Sequence, residues 1–143
     1  MVDNPKDVEK SRRLFASAVK FREGAEAVMS NGNEYAGCAA SLCHQSAMLM
    51  MAAFIQLKDR TVGLTAELEP ISIWGICTSL HEELDDADDE VQTLLDCEWA
   101  GYLPKPGQKE TDVKYAREAI QCAKKLEQAM LEAAPGLMLQ KRE

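Results

Sequence analysis

Residues 35–57 read YAGCAASLCHQSAMLMMAAFIQL, 23 positions without one Asp, Glu, Lys or Arg in a chain that is 28% charged. The run holds Ala, Leu, Met and Cys on every side of a helical projection. A helix with no polar face is enclosed by its own fold or faces a partner. A chain of 143 residues has the size of one domain. A bundle of that size offers one central position. Residues 35–57 are therefore expected to be the central helix, half of a dimer seam, or both. A membrane span is the other reading of such length. Ser41, His44, Gln45 and Ser46 stand in its middle, where polar groups cost most, so the run is assigned to the fold and no membrane is expected.

Working outward, the break Ser30-Asn31-Gly32-Asn33 precedes this helix, and Asn33 can cap it. Before the break, Leu14, Ala18, Phe21, Ala25 and Val28 step by helical spacing. Asn4 and Pro5 form a start signal for that first helix. Two long helices separated by so short a break form an antiparallel hairpin. In that hairpin Gly24 and Ala25 come near Cys38 and Ala39. Gly24 either permits close backbone approach or is simply a tolerated helix glycine, costing ~1 kcal/mol against Ala.

Downstream, Pro70 suits the first turn of a third helix with Ile73, Trp74, Cys77, Leu80 and Leu84 inward. A fourth helix is expected to begin in the acidic run 82–90, EELDDADDE, with Val91, Leu94, Leu95 and Trp99 inward and Gly101 as its stop. Tyr102 to Lys109 read as a stiff proline loop. Thr111 can cap the last helix, whose apolar face is Val113, Ala116, Ile120, Ala123, Leu126 and Met130. Pro135 and Gly136 end it, and the tail to Glu143 is expected to fray. No stretch alternates with period two. The expectation is an all-α, up-and-down bundle of four or five helices in a single domain, ordered over about residues 5–134.

The net charge of -8 argues against general DNA binding, which needs a basic surface. Seven of that charge come from the run 82–90, where acids complement a helix start. It lacks calcium-loop spacing. The five cysteines, Cys38, Cys43, Cys77, Cys97 and Cys122, show no paired ligand spacing. With the polar opening MVDNPKDVEKSRR, they point to free thiols in the cytoplasm. No metal and no cofactor is expected. Phosphate-loop, dinucleotide, nucleophile-elbow and zinc-protease motifs are absent from the sequence. His44 and His81 are its only histidines, and Cys43 and His44, being adjacent on a helix, do not face each other. The chain is read as leaning away from catalysis.

The element order resembles the HEPN domain family of small bacterial and archaeal helical proteins. In the second helix Gln45, Ala47 and Ala53 keep that family's residue types. Ser11-Arg12-Arg13-Leu14-Phe15-Ala16 looks like its opening, and Tyr115-Ala116-Arg117-Glu118-Ala119-Ile120 like its last helix. The resemblance spans about residues 5–134. It implies a tendency to dimerise, a nucleotide-binding or partner-binding role, and a minimal nucleotidyltransferase as a possible partner. Two departures stand out. The Arg-x4-6-His pair of the family's ribonuclease branch has no counterpart here. The family's Glu and Lys on the second helix are replaced by Met48 and Leu49. The favoured expectation is a non-catalytic HEPN-like homodimer, with His44, Met48, Met51 and Ala52 at the seam. The alternatives are a divergent ribonuclease or toxin, and an unrelated helical adaptor. A ligand site, if present, is placed at Trp99, Tyr102, Lys105, Lys109 and Thr111, where aromatic faces, two lysines and a helix start adjoin, with His44 the next candidate.

Overall fold

The computed structural model describes residues 5–58, 69–97 and 109–138. Among these there is no strand, and the chain forms a bundle of five α-helices. They are α1 (Pro5–Asn31), α2 (Ala36–Lys58), α3 (Pro70–Leu80), α4 (Asp88–Leu95) and α5 (Lys109–Ala133). Short 3-10 turns occupy Asn33–Tyr35, Glu82–Ala87 and Pro135–Leu137.

The turn between α1 and α2 pivots on Gly32, whose φ is +147°. That region admits glycine and few other residues. It is followed by a 3-10 turn, so α2 begins at Ala36 rather than directly after Asn33. Ser46 Oγ donates to the Ala18 carbonyl at 2.6 Å, and Leu42 lies over Gly24. As residue numbers rise on one helix they fall on the other, which makes the hairpin antiparallel. A Cβ at Gly24 would stand 3.9 Å from Leu42 Cδ1, an ordinary contact. Gly24 is thus a tolerated helix glycine and not a spacer that close approach requires.

Helix α5 returns antiparallel to α1. Arg22 forks onto Glu127 at 3.0–3.3 Å, and Arg12 Nε donates to the Gly136 carbonyl at 2.8 Å. The third arm is α3, a 3-10 turn and α4. Tyr115 Oη donates to the Thr93 carbonyl at 3.5 Å and Lys125 Nζ lies 3.8 Å from Glu90. These pairs run α4 antiparallel to α5. The arms α1, α2, α4 and α5 thus alternate in direction.

Helix α2 is the central helix. Twelve of its residues are buried, among them Cys43, Met50, Met51, Phe54 and Ile55. It packs against α1, α3, α4 and α5. By length and composition it could cross a membrane, and its packing inside the bundle accounts for the same hydropathy.

Several details differ from the sequence reading. The fourth helix begins within the acidic run as expected, at Asp88, but Glu82–Ala87 form a 3-10 turn before it, so Leu84 lies in that turn and not on α3. Leu84 and Ala87 turn inward there, at the three-residue spacing a 3-10 helix allows. Helix α4 stops at Leu95, with Trp99 and Gly101 outside the described residues. Thr111 lies inside α5, which begins at Lys109, so it is not the cap. At the far end, Leu137 is fully buried, and the packed structure extends past Ala134. Pro135 ends the α-helix, but the 3-10 turn after it returns Leu137 to the core.

Candidate functional site

Apart from Gly37, Leu57 and Lys58 near its ends, the residues of α2 that the bundle leaves uncovered fall on one stripe. Cys38, Ser41, Leu42, Gln45, Met48, Leu49, Ala52 and Gln56 are half-buried or exposed. They recur at intervals of three and four, so they share one side of the helix. Eighteen residue steps at the α-helical rise, from Cys38 to Gln56, make the stripe about 27 Å long. It carries no charged side chain. Along its edge runs α1, where Leu42 lies over Gly24. One turn away Phe21 is 37% exposed, and Leu14 and Val28 are half-buried.

The four residues expected at a seam separate here. Met48 and Ala52 belong to the stripe. Met51 does not: it is fully buried inside its own chain. It lies about 100° round the helix from Ala52 and turns into the bundle. Its carbonyl accepts the Cys77 thiol at 3.8 Å. His44 is also enclosed, 4% exposed, with Nδ1 3.2 Å from the Leu94 carbonyl. A carbonyl only accepts, so Nδ1 carries the proton. His44 is therefore a buried tie between α2 and α4, away from both the stripe and any open ligand site.

The proposed ligand loop is mostly beyond view. Trp99, Tyr102 and Lys105 lie outside the described residues. Lys109 and Thr111 sit in the first turn of α5, and their side chains are also outside them.

The thiols divide in the same way. Cys38 is exposed on the stripe, while Cys43, Cys77, Cys97 and Cys122 are buried. Burial pushes Cys43 and Cys77 up to about 12 and Cys97 to about 11. It also raises Cys122. A thiol held neutral is neither nucleophile nor metal ligand. Cys97 donates to the Thr93 carbonyl at 3.2 Å, which tightens the last turn of α4.

The acidic run meets α5 across a cleft of about 270 Å³. Glu83, Asp86, Glu90 and Glu132 line it, with His81 and Lys125. Most of the run's carboxylates point to solvent. Asp88 instead accepts the indole N–H of Trp74 at 2.9 Å, a bond that braces α3 against the start of α4. Sequence spacing hid that role, because the partners lie on different helices.

Comparisons of the chain with protein-family models, characterised proteins and solved structures give no match.

Proposed function

We propose that this protein is a HEPN-like helical binding module that acts as a homodimer and holds a nucleotide or a partner protein, such as a minimal nucleotidyltransferase. The observation that carries the reading is the uncharged outer stripe of α2. Protein surfaces are normally rich in charge, and the centres of stable interfaces are depleted of it. Stripe and α1 edge together put Phe21, Val28, Leu42, Met48, Leu49 and Ala52 on one side of the molecule. A stable interface buries about 800 Å² on each partner, and this face supplies its apolar centre. The family resemblance points the same way, since Met48 and Leu49 stand where its members carry Glu and Lys.

The ribonuclease alternative gains no support from His44, which is enclosed and committed to a backbone carbonyl. The dimer is tested by sedimentation at micromolar concentration. The expected species has twice the 15.8 kDa chain mass. Met48→Glu is expected to return it to monomer, because a charge would be buried without a partner. A single 15.8 kDa species for the unaltered chain would overturn the reading.

A further inference from the structure

On the side of α1 that faces α5, an indentation of about 340 Å³ opens between the last turns of α1 and the middle of α5. Met29 and Ile120 are its apolar lining, and Glu26, Ser30, Arg117, Gln121 and Lys124 its polar lining. Arg117, Gln121 and Lys124 recur at helical spacing and share one face of α5.

The electrostatics of the polar lining can be followed group by group. Glu26 receives Lys124 Nζ at 2.6 Å and Arg22 Nη1 at 3.1 Å. Arg22 also forks onto Glu127. The charges of Arg22 and Lys124 thus cancel those of Glu26 and Glu127. The network also fixes the Lys124 ammonium at one end of the indentation. Arg117 is exposed and makes no hydrogen bond or ion pair with the described residues. Its guanidinium leaves one net positive charge here, in a chain whose total is -8. A planar fork of donors suits the oxygens of a phosphate or carboxylate better than a single water can.

We propose that this indentation binds a small phosphate monoester with an apolar or planar body. The phosphate sits between Arg117 and Lys124, the body rests on Met29 and Ile120, and Gln121 and Ser30 offer polar contacts at its edge. The volume is within the range of small-molecule pockets. The site is separate from the outer stripe of α2 and does not depend on dimer formation.

The test is a titration of the isotope-labelled full chain, followed by backbone amide NMR at about 0.15 M salt so that loose surface attraction is screened. The probes are hexyl phosphate, adenosine monophosphate and inorganic phosphate. Both esters are expected to shift the amides of Ser30, Arg117, Gln121 and Lys124. Inorganic phosphate is expected to bind about tenfold more weakly, since it leaves the apolar lining uncovered. Arg117→Ala is expected to weaken ester binding at least about tenfold with unchanged thermal unfolding, because Arg117 makes no hydrogen bond or ion pair with the described residues. Met48→Glu is expected to leave ester binding intact, which keeps this result distinct from the oligomeric state. No shift at these positions up to about 5 mM ester would overturn the proposal. So would equal binding of inorganic phosphate, or binding indifferent to Arg117→Ala.

Discussion

His44 Nδ1 stands 3.2 Å from the carbonyl oxygen of Leu94, fifty residues away in sequence. Leu94 is in the last turn of α4, and its carbonyl also accepts the Cys97 N–H at 3.2 Å. One imidazole from the centre of α2 adds a second contact to that oxygen and ties the end of α4 to the bundle. His44→Ala would remove the side-chain bond to that carbonyl, leave only the Cys97 N–H on it, and open a void. It is expected to cost about 2 kcal/mol, read by urea unfolding, with the oligomeric state unchanged. A shift in oligomeric state without loss of stability would instead place His44 at an interface.

Met48 and Met51 are three residues apart and should behave differently. Met51 is fully buried, so Met51→Ala is expected to destabilise the fold by about 2–5 kcal/mol. Met48 is half-buried on the stripe. Met48→Ala should cost the dissociated chain less than half as much and act mainly on association. Unfolding midpoints measured across a range of protein concentrations separate the two effects.

Two glycines of the hairpin give opposite expectations. Gly24 has room for a methyl group, so Gly24→Ala should stabilise by about 0.5–1 kcal/mol. Gly32 holds φ at +147°, and Gly32→Ala should destabilise by about 1–3 kcal/mol. Differential scanning calorimetry of both variants checks the pair.

Thiol labelling has a clear expected pattern. In the native protein Cys38 should react quickly with an aromatic disulfide reagent, and the four buried thiols only on unfolding. Raising the pH to about 9 should not release Cys43 or Cys77, because burial holds both near 12. Rapid labelling of more than one site would mean that the core opens without global unfolding.

The Glu26 carboxyl is held below its ordinary value of 4.5, first by the hydrogen bond from Lys124 and then by the charges of Lys124 and Arg22. A lowered folded value contributes stability above the ordinary one and loses it as pH falls through the lowered one. Glu26→Gln should therefore be less stable than the unaltered chain at about pH 7. The difference should shrink as both are taken to about pH 3. Urea unfolding at both pH values tests the sign.

Much of the fold was legible because the signals are local. Pro5 and Pro70 mark helix starts that the structure keeps. The apolar face from Val113 to Met130 is buried as read. The fourth helix begins within the acidic run as expected, but the 3-10 turn over Glu82–Ala87 that precedes it was not legible. Periodicity cannot separate a 3-10 turn from an α-turn when only Leu84 and Ala87 turn inward. Leu137 was missed because Pro135 and Gly136 signal a stop, and a stop says nothing of where the chain packs next.

The sequence by itself determined that the chain is helical, that residues 35–57 are its longest apolar stretch, and that a glycine turn folds α1 back on α2. Spacing, propensity and turn chemistry are properties of neighbours along the chain, so they can be read there. Only the tertiary structure decided which side of α2 stays open. Met51 and Ala52 are adjacent and both apolar, yet one is sealed in the core and the other lies on the stripe. Nothing in a uniformly apolar helix records its rotation, because a hydrophobic contrast is needed to orient it. Distant groups supply the orientation instead: Ala18 for Ser46, Leu94 for His44 and Cys77 for Met51.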